Sequence, residues 1–452
     1  MNEIRKNSRV TIFELLFFTY AFLNGEINSE YEEYSPYFAI PCYITNVTTT
    51  SATINWEWRK PEKAYLVYGT SVVYTDTLIC DSSKYGHVRL KNLKEYTRYF
   101  YSIVVNNNSI FQNQEEYYFY TAPKDYRESI TFAVIGDTRT GDESFVSDHK
   151  ATIESVRHYT LPLFLIHLGD MIDNTKTEPW QEFFIIESSL LKNCSFFPVR
   201  GLSDGTSEQF VERFLKPGTC SWYSFSYGPV YCIILDIPSD KTTDYYIRKI
   251  GPESEQYRWL NKQLHSEERK NHPFTIVAFF SPLYSPSGKS DKYLLSLLPP
   301  LFNSNNVDLV LNGSDHCLSY AQYGNVSFLI SGGGGAALQH SRKKKPAHVI
   351  LTEYFFHHLQ ISIHFPTMYL RAIDNQGTIF FAHEIHYQPE KWNTGENIET
   401  SDITRITVYG SEKCKECIEL KESILPRILD KYKDHNIEAK FIDIDIQDNF
   451  DC

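Results

Sequence analysis

The sequence has little of what marks disulfide scaffolds, membrane proteins and nucleic-acid binders. It contains nine cysteines among 452 residues, too few for a fold held together mainly by disulfides. After the first 25 residues, no apolar run approaches the length of a transmembrane helix. Positive charge is concentrated only in the run RKKK at 342–345, and the net charge is −12. We therefore expect neither a nucleic-acid partner nor a transmembrane span.

Residues 1–28 have the pattern of a secretory signal peptide. Arg5, Lys6 and Arg9 precede the apolar stretch TIFELLFFTYAFLNG, which is short for a membrane span. Glu14 is unusual inside such a stretch. The pattern predicts a secreted or periplasmic protein.

The length predicts two or three domains. Short alternating runs such as SATINWEW and RYFYSIVV predict a β-sandwich over 36–124. The pattern changes over 128–388, where near-continuous apolar runs predict buried strands covered by helices in an α/β layered arrangement. A polar linker at 389–402 leads to a short strand–helix–strand piece at 403–452. The fold class is therefore multidomain.

Polar residues follow the buried strands of the central region. Asp137, Asp170, Asp204 and His316 all come at or just beyond the ends of apolar runs. Ligand sites of layered α/β proteins lie beyond the carboxyl ends of the strands, so we expect these side chains to converge. The segment 254–270 is predicted to be one amphipathic helix with Ser254 as its N-cap.

Several collinear motifs carry a family resemblance over about 350 residues. They are GDTRTG, HLGDMIDN, WYSFSYGPVYCIILD, SEQYRWLNKQL, SPLYSPSG, VDLVLNGSDH and ISGGGGAAL. With them, residues 36–388 resemble a purple acid phosphatase-type metallophosphoesterase of the calcineurin-like superfamily. The resemblance implies a fibronectin type III-like domain at 36–124 and a calcineurin-like domain at 128–388.

The resemblance implies a site for two adjacent metal ions that together activate a hydroxide and bind a phosphate ester. Asp137 stands at a first-metal position, Asp170 at the bridging position, and His316 at the second His of the motif Gly-His-x-His. Asp173 replaces the tyrosine that gives purple acid phosphatases their colour. Asp137, Asp170, Asp173 and His316 are thus the predicted metal ligands, suited to one Fe, Mn or Zn ion.

Three family ligands of the second metal are replaced. Leu202 stands at the Asn position, Phe280 at a His position and Ser314 at the first His of Gly-His-x-His. Apolar side chains cannot coordinate a cation and would leave it desolvated at a cost of several kcal/mol. We therefore do not expect a second metal.

The catalytic His of the family is replaced by Ser203, so no intact catalytic residue remains. Arg139 and Asp204 are candidates for contact with a bound ligand, which would be a phosphate-bearing small molecule. The sequence identifies no protein partner. Two interpretations stay open here: impaired or absent phosphomonoester hydrolysis, and an active single-metal phosphohydrolase with rearranged ligands.

The carboxyl-terminal piece resembles the start of a thioredoxin-like domain. Cys414 and Cys417 follow a predicted strand and precede a predicted helix, a position that favours a reactive thiolate. This motif makes a thiol–disulfide protein the third interpretation.

Overall fold

The computed structural model describes residues 36–388, with gaps at 81–82, 112, 175–176, 216–218, 239–241 and 342–345. It also describes 404–410, 421–422, 426 and 437–443. The predicted signal peptide, linker and Cys414/Cys417 pair lie outside the described residues.

The described strands form two large sheets, a smaller sheet and a carboxyl-terminal pair. In spatial order, the strands of the first large sheet are β21 (Ile379–His386), β20 (Thr367–Asp374), β19 (His357–His364), β9 (Ile130–Ile135), β10 (Phe164–His167), β11 (Ser195–Pro198), β1 (Phe38–Thr45), β2 (Ala52–Trp58) and β5 (Tyr85–Leu90).

The second large sheet has the order β12 (Tyr223–Tyr227), β13 (Val230–Ile234), β14 (Phe274–Phe279), β15 (Leu309–Asn312), β17 (Val326–Ser331), β16 (Leu318–Tyr323) and β18 (Val349–Glu353). The smaller sheet consists of β4 (Asp76–Ile79), β3 (Ala64–Gly69), β6 (Arg98–Val105) and β7 (Asn108–Ser109), with β8 (Tyr118–Tyr120) also paired to β6. The carboxyl-terminal pair is β22 (Thr404–Gly410) and β23 (Ile437–Asp443), which run parallel.

Helices cover the outer faces of the two large sheets. The described helices are α1 (Glu143–Tyr159), α2 (Thr177–Leu191), α3 (Ser207–Phe214), α4 (Thr243–Ile250), α5 (Glu255–Leu264), α6 (Glu267–Lys270) and α7 (Lys292–Ser304). α1 and α2 pack their apolar residues against the first sheet, whereas α4, α5 and α7 pack against the second. A third hydrophobic cluster lies between the sheets. The predicted α/β layered architecture is confirmed, because strands buried on both faces need such cover.

The amino-terminal strands continue the first large sheet. β1 pairs in parallel with β11, placing Ile44 opposite Ser195, and then pairs antiparallel with β2. The hydrophobic cluster between the large sheets extends without a break to Trp58 and Tyr101. The strand-rich region at 36–124 therefore shares both a sheet and a core with the region that follows.

The prediction of one helix over 254–270 is wrong at its carboxyl half. Ser254 caps α5 as expected, accepting a hydrogen bond from the Tyr257 N–H, but α5 ends at Leu264. Ser266 then caps α6 by accepting from the Arg269 N–H at 3.2 Å. Ser266 has an extended backbone conformation, so the helix is interrupted there and a second helix begins after it.

Candidate metallophosphoesterase site

Loops after three parallel strands of the first sheet converge on one cleft. Asp137 follows β9, Asp170 follows β10 and Asp204 follows β11, and these strands pair in sequence. His316 arrives from the second sheet, after β15. The carboxyl ends of parallel strands meet at one edge, which explains the convergence that the sequence predicted.

Four residues of the cleft have left-handed backbone conformations that side chains disfavour. The φ angles are 59° for Asp137, 46° for Arg139, 50° for Asp170 and 74° for Ser314. Each costs roughly 1–2 kcal/mol. Neighbouring backbone hydrogen bonds hold two of them, because the Asp137 N–H donates to the Gly169 carbonyl at 3.0 Å and the Arg139 N–H to the Asp170 carbonyl at 2.9 Å. Such clustered strain is typical of functional sites.

Asp137 is the buried centre of the cleft. Its Oδ2 accepts a hydrogen bond from the Ser314 N–H at 2.9 Å. Its Oδ1 lies 3.6 Å from His316 Nε2 and has no hydrogen-bond partner among the described residues. Burial raises the pKa of Asp137 well above its usual value, and the charge of Asp170 adds to the shift. Burial lowers the pKa of His316 to about 4, so the imidazole is neutral at pH 7.

Asp170 shares one of its carboxylate oxygens with the next loop. Its Oδ1 accepts from the Ser203 N–H at 2.9 Å. Burial raises the pKa of Asp170, while the Ser203 N–H and the nearby Arg139 oppose that shift.

The predicted ligand Asp173 is bound to Arg139. Arg139 Nη2 lies 2.7 Å from Asp173 Oδ1, and both side chains are about one-third exposed, at 30% and 36%. This ion pair joins a predicted metal ligand to a predicted ligand-contact residue, so each of the two side chains already has a partner in this conformation.

Asp204, a predicted candidate for ligand contact, accepts backbone hydrogen bonds at both carboxylate oxygens. Its Oδ2 accepts from the Gly201 N–H at 2.7 Å and the Asp170 N–H at 2.9 Å. Its Oδ1 accepts from the Met171 N–H at 2.8 Å and, more weakly, from the Ile172 N–H at 3.4 Å. Burial raises the pKa of Asp204 to about 7, with the Asp170 charge adding to the shift and these N–H donors opposing it. The carboxylate joins two loops of the cleft.

Leu202 and Phe280, which stand at predicted ligand positions of the second metal, differ in their exposure to solvent. Leu202 is 38% exposed, whereas Phe280 is only 1% exposed. A Cβ added to Gly169 would lie 2.8 Å from Cδ2 of Phe280, and one added to Gly313 would lie 3.0 Å from the same atom. The phenyl ring therefore packs directly on the loops that carry Asp170 and Ser314.

The glycine run at 332–335 closes the cleft at another side. A Cβ on Gly332 would lie 2.8 Å from Asp137 Oδ2, and one on Gly334 would lie 2.4 Å from the Gly136 carbonyl oxygen. The run is a close-packed turn against the Asp137 loop.

Lys289 is a residue of the cleft that sequence reasoning missed. Its Nζ donates to the Ser314 carbonyl at 2.5 Å and lies 3.4 Å from Asp315 Oδ1. It belongs to the segment after SPLYSPSG, which the sequence analysis used only as a family motif. No ligand pattern includes a lysine there, so only its spatial position identifies it.

The donor set fits two metals poorly. Within the ranges that the structure describes, no group of three or more His, Cys, Asp or Glu side chains is arranged to hold a metal ion. Asp137 and His316 approach one another, but Asp173 points to Arg139. The unpartnered Asp137 Oδ1 leaves one acceptor that a single cation would satisfy.

Most of the residues that form the cleft lie in a segment that matches a known protein family. Residues 130–318 match the calcineurin-like phosphoesterase family, and they contain Asp137, Asp170 and His316. These residues form a calcineurin-like phosphoesterase domain. The curated relatives that the chain resembles carry the name purple acid phosphatase.

Relatives of the phosphoesterase domain come from plants. The chain is 25% identical to purple acid phosphatase 22 of Arabidopsis thaliana over 257 residues, which are 52% of this chain and 53% of the relative. It is 26% identical to purple acid phosphatase 21 over 282 residues, covering 58% and 59%. A third relative, Fe(3+)-Zn(2+) purple acid phosphatase 12, is 24% identical over 264 residues, covering 54% and 52%. The chain thus spans just over half the length of each.

Solved structures support the same fold. A purple acid phosphatase from yellow lupin (Lupinus luteus) seeds superposes with a TM-score of 0.66 at 15% identity, covering 80% of this chain and 77% of that one. The structure of PhoD superposes with a TM-score of 0.59 at 11% identity, covering 80% and 93%. Among the described residues, no helix has the length and apolar character that a membrane span requires.

Proposed function

We propose that this chain is a purple acid phosphatase-like metallophosphoesterase whose phosphomonoester hydrolysis is impaired or absent. The observation that carries the proposal is the buried phenyl ring of Phe280, packed on Gly169 and Gly313 beside the Asp137 loop. A phenyl group provides no ligand and excludes water that would hydrate a cation.

The neighbouring loops support the same conclusion. The Ser314 N–H donates to Asp137 and the Ser314 carbonyl accepts from Lys289. The backbone of Ser314 therefore makes hydrogen bonds within the protein, and its short side chain replaces the imidazole of a metal ligand. Ser203, at the position of the family's proton donor, has a hydroxyl in place of an imidazole. Loss of a general acid typically costs 10²–10⁴-fold in rate.

The single-metal alternative has one observation in its favour. Asp137 Oδ1 is buried, lacks a hydrogen-bond partner among the described residues and faces the neutral imidazole of His316. An Fe, Mn or Zn ion bound there by Asp137, Asp170 and His316 would polarise a phosphate oxygen, and Arg139 would contact the same ligand. The comparisons do not favour the thiol–disulfide alternative, because the relatives found are phosphatases. Cys414 and Cys417 lie outside the described residues.

The domain limits and the export signal stay part of this proposal. We retain a fibronectin type III-like unit at 36–124, a phosphoesterase domain at 128–388 and a thioredoxin-like piece at 403–452. Secretion or periplasmic location rests on residues 1–28 alone.

Metal content and turnover test the proposal together. The full chain is incubated with Mn²⁺, Fe²⁺ or Zn²⁺, desalted, and assayed for bound metal and for hydrolysis of p-nitrophenyl phosphate. We expect fewer than two metals per chain and a rate at least about 10²-fold below that of an intact two-metal relative. The matched variant carries L202N, S203H, F280H and S314H, and should gain metal. Two metals per parent chain with rapid turnover would refute the proposal.

A further inference from the structure

The cleft contains a positively charged side chain of the protein itself, that of Lys289. Lys289 lies in the loop between β14 and α7, and its ammonium group donates to the Ser314 carbonyl at 2.5 Å. The N–H of the same Ser314 donates to Asp137 Oδ2 at 2.9 Å. One residue, at the position of a family metal ligand, therefore links the ammonium group to the buried carboxylate.

The loop that carries Lys289 is fixed in place. Ser285 Oγ donates to Asp315 Oδ2, and Ser287 Oγ donates to Asp315 Oδ1 at 2.5 Å. The Lys289 N–H donates to Ser285 Oγ at 2.9 Å, so the loop is bonded to the buried Asp315 at several points. The lysine side chain is 35% exposed, yet its end is held by two partners in the cleft. The hydrogen bonds of the loop and of the ammonium group therefore fix the position of the Lys289 side chain.

The carboxylates of the cleft need a positive charge. Asp137 and Asp170 are 0% and 6% exposed, and two buried carboxylates in one cleft repel each other. In a metal site, the ions provide the compensating charge. Arg139, although paired with Asp173, also acts on Asp170. Lys289 is the cation that lies beside Ser314 and Asp315 in the described part of the cleft.

We propose that the ammonium group of Lys289 takes the electrostatic place of the second metal ion, stabilising the Asp137–Asp170 cleft without that metal and repelling a cation from its position. The proposal rests on the proposed function, since it presumes that the second metal does not bind. It adds a positive charge to the lost ligands as a second reason for weak metal binding: the variant with restored Asn and His side chains should bind metal less tightly while Lys289 remains than when Lys289 is also replaced.

The test compares Lys289→Met with a matched control, Lys292→Met. Methionine keeps an unbranched chain but removes the charge, and Lys292 is an exposed lysine at the start of α7. Full-length parent and variants are stripped with EDTA, desalted and melted with and without Mn²⁺ or Zn²⁺, and bound metal is measured. We expect the parent and K292M to melt alike with or without EDTA. We expect K289M to melt at least about 4 °C lower in EDTA, to recover with metal, and to bind more metal than the parent.

A charge-preserving variant covers the case in which K289M does not accumulate. Lys289→Arg should melt at the temperature of the parent and bind no more metal than the parent. Equal melting and metal binding of K289M and K292M, a K289M defect that metal does not reverse, or a K289R protein destabilised like K289M would each overturn the inference. Two metals in the parent would instead refute the proposed function, so the two failures are distinguishable.

Discussion

At the scale of single residues, Asp204 shows how a carboxylate next to a predicted metal site can hold the backbone of two loops. Both of its oxygens accept backbone N–H groups, from Gly201 on one loop and from Asp170, Met171 and Ile172 on another. The loop that carries Leu202 is thereby connected to the Asp170 loop, with Leu202 and Ser203 at the positions where the family resemblance implies a ligand and a proton donor. Retention of Asp204 preserves the cleft and says nothing about catalysis.

Replacing Asp204 with Asn should therefore destabilise the fold. The amide NH₂ would face at least one backbone N–H and leave that donor without an acceptor, at a cost of about 2–4 kcal/mol at pH 8. Urea unfolding of the full chain measures the difference. The control is Asp125→Asn, which breaks an exposed ion pair with Arg127 and should cost far less, because solvent screens such a pair. Equal losses in the two variants would contradict this account of Asp204.

At the scale of elements, β19 carries buried histidines that make the fold sensitive to acid. His358 Nε2 lies 2.7 Å from Thr160 Oγ1 and Nδ1 lies 3.3 Å from Ser155 Oγ, joining the strand to α1 and the loop after it. Burial lowers the pKa of His358 to about 3, and the adjacent His357 adds to the shift. Its role is to pack β19 against α1.

The pH dependence of a His358→Asn variant should reveal this shift. The unfolded chain binds a proton at His358 near pH 6.5 and the folded chain does so only near pH 3, so the stability linked to neutral His358 is full above pH 6.5 and is lost as the pH falls. The difference in unfolding free energy between variant and parent should therefore move in favour of H358N by at most about 1.4 kcal/mol per pH unit below pH 6.5. Denaturant unfolding at several pH values checks it. The exposed His364 of the same strand is the control, and a similar trend in H364N would exclude the explanation.

At the scale of the whole molecule, the amino-terminal strands and the phosphoesterase layers are one packed body. Ile44 of β1 is fully buried and lies opposite Ser195 of β11 in the parallel register. Across the same junction, Lys192 Nζ pairs with Glu116 Oε2 at 2.9 Å. A shared sheet and core predict cooperative unfolding across residue 124, since neither part keeps its edge paired without the other.

Shortening Ile44 should weaken both parts together. Ile44→Ala removes a buried side chain and should cost about 2–5 kcal/mol. Hydrogen exchange should then lose protection in β10 and β11 as well as in β1 and β2. The matched control is Ile79→Ala, because Ile79 is 82% exposed on the small sheet and should change stability by less than about 0.5 kcal/mol. Loss confined to residues 36–124 would show that the parts unfold independently.

The sequence determined the strands, their layered order and the residues at the strand ends. Apolar runs of four to eight residues need burial on both faces, so the runs before Asp137 and Asp170 were recognisable without coordinates. Family motifs then assigned Leu202, Ser203, Phe280 and Ser314 to positions where ligands and a proton donor are expected. These features are local in the chain, which is why they could be read from it.

Only the tertiary structure decided which partners each polar group has. It directs Asp204 to backbone N–H groups, pairs Asp173 with Arg139 and brings Lys289 beside Ser314. It also joins β1 to β11 across the expected domain boundary. Hydrogen bonds and ion pairs act over about 3–4 Å between residues far apart in sequence, so no periodicity or spacing encodes them directly.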